Sequence, residues 1–271
     1  TVSKFSNNLV KGSYDIIIAG GGAAGLSLAY HISLSALAGK KILIIDKDRK
    51  NKNDRTWGFW SKQKTAFDHL ASLTYHSLVF SSTYYEKRID LGKYRYQVIR
   101  GIDFYDFIRD HLAKYPDVHW LNTTVESMND LTDGAEVVTG EGTYRSKWVF
   151  SSIFSEADIK KAIKSELYLK QHFKGYVIET PDDAFDPDAF TMFDFHTPQK
   201  GLMRFFYILP WSKNKALVEY TLFSEDLLDE GQYDEAIQGY ISDVLQINDY
   251  QIAEKEFGII PMTNYVFPPT Q

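Results

Sequence analysis

Early in the chain the apolar positions fall into two unbroken runs, not an alternation. Ile16-Ile17-Ile18-Ala19 and Ile42-Leu43-Ile44-Ile45 each read as a strand buried on both faces. Small residues between them, from Ala23 onward, predict the start of a helix. Tyr75–Ile89 is dense in Tyr, Val, Phe and Thr without a helical period, so it reads as strand material, as does Arg95–Arg100. Asp103–Lys114 carries apolar residues at Phe104, Phe107, Ile108 and Leu112, which is helical spacing. Val118–Leu121, Ala135–Val138 and Lys147–Phe150 predict short strands, with Asp133-Gly134 as a turn. From about Gln171 the texture changes. Ala189–His196, Leu202–Leu209 and Ala216–Phe223 are strand-like and joined by hairpin-type connections, and Asp234–Leu245 predicts a helix.

The link from the first strand to its helix carries chemistry. Gly20, Gly22 and Gly25 form G-x-G-x-x-G, and the second strand ends on Asp46, 46 − 25 = 21 residues past the last glycine. This context fits a dinucleotide site: a tight turn, backbone close to a pyrophosphate, and a carboxylate for a ribose hydroxyl. Gly20, Gly22, Ala23, Ala24, Gly25, Asp46 and Lys47 are the candidate ligands. The unit opens the chain and no second fingerprint follows, which favours FAD over NAD.

Composition narrows the rest. At 271 residues two lobes are expected, and the balance of 30 basic against 36 acidic residues shows no basic run for nucleic acid. There is no cysteine, which removes disulfides, thiolate metal sites and a Cys nucleophile, and the seven histidines show no metal-ligand spacing. Thr1–Ser13 is polar and mixed, and no run of ~18 apolar residues exists to span a membrane. Aromatic residues reach 15%, which suits either an aromatic-rich antiparallel sheet or a long apolar cavity.

Three further segments resemble the bacterial and plant lycopene β-cyclases. Asn53-Asp54-Arg55-Thr56-Trp57-Gly58-Phe59-Trp60 is similar to that family's N-D-R-T-W-C-F-W segment, with Gly58 where cysteine is common. Phe193-Asp194-Phe195 resembles its M-D-F/Y/W strand. Leu209-Pro210 with Leu217-Val218-Glu219-Tyr220-Thr221 resembles its L-P and E-D/E-T pair, Tyr220 replacing the second acid, and Ile260-Pro261-Met262 fits a further element. The resemblance implies an α/β fold: a Rossmann-type FAD-binding domain in three layers, with a second lobe on an antiparallel sheet, as in FAD-dependent monooxygenases and reductases. The expected division is 1–165 for the FAD domain, 166–257 for the substrate lobe, and 258–271 for the start of a cut-short segment returning to the FAD domain.

It also implies an isomerase of carotenoid biosynthesis that closes the ψ ends of lycopene to β-ionone rings by proton addition, with no net redox change. Reduced FAD, electrons from NAD(P)H, and a cytoplasmic location at the inner face of the membrane come with it. Glu219 is the expected proton donor. It alternates with Leu217, Thr221 and Phe223, and burial among apolar neighbours would keep its proton on. Asp194 is expected to share or relay that proton, or to orient Glu219. Arg55 and Arg100 are expected near the flavin, and Trp57, Phe59 and Trp60 along the polyene. Two alternatives stay open. One is an FAD-dependent oxidoreductase, a monooxygenase or prenyl-chain reductase, acting on a large apolar substrate. The other is a carotenoid- or quinoid-binding flavoprotein without activity.

Overall fold

The computed structural model describes residues 10–153, 164 and 167–266. The chain forms two compact units, each assembled from two stretches: residues 1–54 with 101–155, and residues 55–100 with 156–271.

In the first unit, β1 (Val10–Ala19), β2 (Ile42–Asp46), β8 (Val118–Asn122) and β11 (Gly142–Ser151) are mutually parallel. β9 (Val125–Leu131) and β10 (Gly134–Thr139) extend the sheet antiparallel, giving the order β8-β2-β1-β11-β10-β9. Ile17, Ile18, Ile44 and Ile45 are at most 1% exposed, as strands covered on both faces require. α1 (Ala23–Ser33) packs on α2 (Gly101–Leu112). The nucleotide fingerprint lies at the carboxyl end of β1, where the sheet continues to β2 on one side and β11 on the other, the usual switch-point position for a ligand.

The second unit holds two sheets. A three-stranded antiparallel sheet has the order β3 (Thr56–Ser61), β7 (Arg95–Arg100), β4 (Leu73–Tyr75). The larger sheet has the order β16-β12-β15-β14-β13-β5-β6: Gln251–Thr263, Tyr168–Glu179, Lys215–Ser224, Met203–Ser212, Ala189–Asp194, Ser77–Ser82 and Tyr85–Asp90. One face of this sheet packs on α3 (Glu230–Asp243) through Tyr176, Phe206, Val218, Tyr220, Ile237 and Tyr240. The other meets the small sheet through Tyr75, Val98, Val177, Phe190, Leu209 and Leu217.

Three expectations are corrected. Residues 55–100 belong with the second unit, because β5 pairs with β13 and carries the β5–β6 hairpin onto the large sheet. That β5–β13 pairing is parallel, so the second sheet is mixed and not wholly antiparallel. The expected boundary at 257–258 falls inside β16, which runs to Thr263 paired with β12, so Gly258–Thr263 belongs to the large sheet, Pro261 being tolerated because β16 is an edge strand. The expected boundary at 165–166 lies outside the described residues.

Phe206 is fully buried and stacks on Tyr240 at 3.7 Å and on Tyr220 at 5.0 Å. Phe206→Ala is expected to lower stability by about 3–5 kcal/mol, read from the urea midpoint of the purified chain.

Candidate functional site

The candidate acid site is a row of residues facing one another across the large sheet. Register sets Tyr207 of β14 opposite Glu219 of β15, Glu219 opposite Gly175 of β12, and Gly175 opposite Glu256 of β16. Paired residues share a face, so both carboxyls rise on the same side with only a glycine between them. A Cβ on Gly175 would stand 3.1 Å from Glu256 Cγ and 2.8 Å from Leu217 Cδ1; any side chain there would push into the gap the acids use.

The two glutamates hydrogen-bond to each other. Thr221 Oγ1 donates to Glu219 Oε1 at 2.8 Å, and Thr56 Oγ1 of the small sheet donates to Glu256 Oε2 at 2.7 Å. Both side chains keep some accessible surface, yet surrounding protein withdraws them from bulk water. That desolvation, reinforced by the charge of Glu256, pushes the Glu219 carboxyl well above the ordinary carboxylate range. Desolvation raises Glu256 too, helped by the charge of Glu254 and only partly offset by its hydrogen bonds from Thr56 and Glu219 and by the nearby Arg55 charge. Two carboxyls this close and withdrawn from water titrate as a pair that shares a proton. Burial, then the charge of Glu219, pushes the Tyr96 hydroxyl up to about 12, and burial raises Tyr207 as well.

Away from this row the same face is mostly apolar in both directions. On one side lie Leu209, Leu217 and Val177, buried under the small sheet. On the other, the next row pairs Phe205, Thr221, Phe173 and Gly258, and the one beyond pairs Met203, Phe223, Gln171 and Ile260. Phe193 packs edge-on against Phe205 at 5.0 Å and lies 5.7 Å from Tyr207. Met203, Ile260 and Met262 at the far end are more than 40% exposed. An aromatic track thus leads from an open rim to the acid row. Counted to the Leu169–Met262 pair it spans three rows, roughly 20 Å at the rise of a β-strand.

The first unit carries a second candidate site, for a nucleotide. Gly20 has φ +108°, and a Cβ on Gly25 would lie 2.0 Å from the Gly20 carbonyl oxygen, so both positions demand glycine. Gly22 opens onto free space, and α1 begins without an acidic residue or a side-chain cap, leaving its first N–H groups available to an anion. Asp46 accepts from Gly21 N–H at 2.6 Å through Oδ2 and from Asp48 N–H at 2.7 Å through Oδ1. One lone pair on each oxygen remains for a ribose hydroxyl. Gly21, Asp46, Arg49, Lys50, Arg109 and Trp120 border a cavity of about 350 Å³. Turn, open helix end, held carboxylate and adjoining cations together fit a dinucleotide. No helix among the described residues is long and apolar enough to cross a membrane.

The profile of the lycopene cyclase protein family matches residues 15–270. The chain belongs to the lycopene cyclase family. Among solved structures it is similar to a geranylgeranyl bacteriochlorophyll reductase-like protein from Thermoplasma acidophilum, with TM-score 0.64, 14% identity, and 92% of this chain and 66% of that one covered. It is similar also to the flavin-dependent brominase Bmp2, with TM-score 0.61, 13% identity, and coverage of 93% and 68%. The p-nitrophenol 4-monooxygenase PnpA from Pseudomonas putida DLL-E4 aligns with TM-score 0.62, 15% identity, and coverage of 93% and 69%. These likenesses establish a shared fold, and the chain spans about two thirds of the length of each of these proteins. A search of curated proteins finds no match.

Within this lycopene cyclase family member the expected site residues fall into different places. Glu219 stands on the acid row, and the glycines, Ala23, Ala24 and Asp46 stand together in the nucleotide site; Lys47 beside them is exposed. Asp194 is not a partner of Glu219. It pairs with Phe206 on the α3 face of the sheet, where Oδ1 is 2.6 Å from His196 Nδ1 and Oδ2 accepts from the Tyr240 hydroxyl at 2.6 Å. The partner is Glu256, which the charged run Glu254-Lys255-Glu256 disguises as a solvated face.

The aromatic trio is divided as well. Trp60 shares a face of β3 with Thr56 and packs on Tyr96 and Phe190, while strand alternation turns Trp57 and Phe59 to the other face. Arg55 and Arg100, expected near the flavin, belong to the second unit: Arg100 pairs with Glu254 at 3.2 Å, and the Arg55 charge acts on Glu256. Tyr96, Tyr207 and Thr56 complete the acid site, and only Thr56 lies in a recognisable motif.

A carboxyl whose folded pKa is raised adds stability that is fully present below its unfolded pKa and is lost as pH rises through the folded value. Stability of the wild type is therefore expected to decline as pH rises above the ordinary glutamate range. Glu219→Gln should flatten that decline in urea melts taken across the pH series.

Proposed function

We propose that the full-length protein is a lycopene β-cyclase, an isomerase of carotenoid biosynthesis. The observation that carries this reading is a pair of carboxyls, Glu219 and Glu256, side by side and withdrawn from water at the closed end of an aromatic track. The Glu219 proton is added to the terminal double bond of a ψ end, the resulting cation is attacked by the next double bond to close the ring, and a ring proton leaves. Bonds and charge balance without a redox change. The aromatic track suits a long rod-like polyene and excludes water from the cation, whose charge is also attracted by aromatic faces.

The nucleotide site would hold FAD through the turn from Gly20 to Gly25, the start of α1, and Asp46. The flavin proposed is the reduced form, maintained by NAD(P)H, and its negative charge would stabilise the cation electrostatically. An apolar substrate of this kind resides in membranes, which supports peripheral association with the inner face.

The test expresses the full-length gene, wild type and Glu219→Gln, in a lycopene-accumulating bacterial host and separates the pigments. The wild type should give β-carotene, and the variant should lose about 10²–10⁴-fold in cyclisation, the usual contribution of a general acid. Unchanged lycopene from soluble, flavin-loaded wild type would transfer the site to an FAD-dependent reductase or monooxygenase acting on an apolar chain.

A further inference from the structure

The acid row contains a second carboxyl that proton donation does not use. We propose that Glu256 is the base that removes the ring proton, and that Thr56 positions it for this step. The inference rests on the cyclase reading and adds the second half of the reaction.

The geometry supplies the argument. Glu256 shares the face and the row of Glu219, separated from it by a residue without a side chain, and is hydrogen-bonded to it. In the closing ring, the carbon that receives the first proton and the carbon that carries the polyene are bonded to the same dimethyl carbon. One pair of adjoining carboxyls can therefore serve both. Glu219 gives its proton to the first carbon and becomes a carboxylate. The ring closes, and the cation comes to rest on the methyl-bearing ring carbon. With the shared proton on Glu219, Glu256 is the carboxylate of the pair; it takes the proton from the polyene-bearing carbon, and the electron pair of that C–H bond becomes the ring double bond of a β end.

The products are then Glu219 carboxylate and protonated Glu256. Transfer across their mutual hydrogen bond restores the starting state, so each turnover returns the pair to one proton on Glu219 without drawing one from solvent. Thr56 has a defined part in this. Its hydroxyl donates to Glu256 Oε2 and so favours the ionised, basic form, while the other oxygen is left toward Gly175, 3.3 Å from where a Cβ would stand. The charged and titratable groups around the pair are Arg55 just before β3, Arg100 of β7 paired with Glu254 of β16, Tyr96 of β7 and Tyr207 of β14. Lys174 and Lys255, one residue along β12 and β16, lie on the opposite face, against Asp234 and Tyr176.

Position also sets ring type. If the base at the polyene-bearing carbon is removed, the same cation loses a proton from the next ring methylene or from the methyl group, giving ε- or γ-type ends in place of β.

The test uses the full-length, flavin-loaded enzyme with lycopene in vesicles, comparing wild type, Glu256→Gln, Glu256→Asp, Thr56→Val and Thr56→Ser. Glu256→Gln should cut β-end formation by about 10²-fold or more and raise the share of ε and γ ends among residual products, with Glu256→Asp partly restoring β ends. Thr56→Val removes a donor to the carboxylate and raises its pKa, so the ascending limb of the pH–rate profile should move to higher pH, whereas Thr56→Ser should leave it in place. Wild-type rate and ring isomers in Glu256→Gln would overturn the assignment while leaving the cyclase reading intact. Absence of cyclic product from the wild type would overturn both. Should Glu256→Gln fail to fold, an unshifted pH profile in Thr56→Val would by itself reject the role of the Thr56–Glu256 contact.

Discussion

Two carboxyls side by side in a place short of water cannot both ionise, and much of the second unit serves to keep Glu219 and Glu256 in that relation. The relation is made by backbone register. A shift of β12 by one residue would put Lys174 where Gly175 stands and turn the outer acid and its neighbours to the wrong face. Long pairings on both sides of β12, reaching from Lys170 to Glu179 against β15 and from Tyr168 to Glu179 against β16, fix that register. The glycine then removes the side chain that would otherwise separate the acids, and Thr221 and Thr56 each hold one of them by a hydroxyl.

The large sheet divides its labour by face. Its α3 side is a packed core in which polar groups are paired with one another: Lys174 with Asp234 and Glu230, His172 with Ser224 and Tyr233, and Asp194 with His196 and Tyr240. Its other side carries the acid row and the aromatic track, where Glu219 remains partly accessible. Stability is concentrated where the chemistry is not, so the desolvation cost of the acid pair can be carried by an interior that takes no part in it.

How far the sequence announces all this depends on the range of each interaction. The nucleotide unit is legible because its signals are local: an apolar run, spaced glycines, a second run, and an acid at the expected interval. Glu219 is legible for the same reason, its alternation with Leu217, Thr221 and Phe223 marking the face. Glu256 is not, since its partner lies 37 residues earlier and its own neighbours in sequence are charged. β12 hides in a similar way, because Lys170, His172 and Lys174 give it a polar pattern that becomes intelligible only when α3 supplies Asp234, Glu230 and Tyr233. The placement of residues 55–100 could not be read either, because β5 joins the large sheet through a parallel partner more than 100 residues away.

The departures from the family pattern become intelligible on the same geometry. Position 220 belongs to the opposite face from Glu219, among Phe206, Tyr233 and Tyr240, where the Tyr220 hydroxyl accepts a hydrogen bond from Arg204 Nη1 at 3.1 Å. Replacing an acid there alters the packing beneath the sheet and takes no carboxyl from the acid row. At Gly58, where cysteine is common, a Cβ would lie 2.0 Å from the Tyr96 hydroxyl, so the tyrosine occupies the volume a side chain would need. Tyr96 also feels the charge of Glu219 and stacks on Phe190 at 4.3 Å, joining the acid row to the buried aromatic end of the face. The absence of a side chain at Gly58 is thus the condition for Tyr96 to reach the site, and the two positions should be read as a pair: a side chain at position 58 needs a smaller residue at position 96.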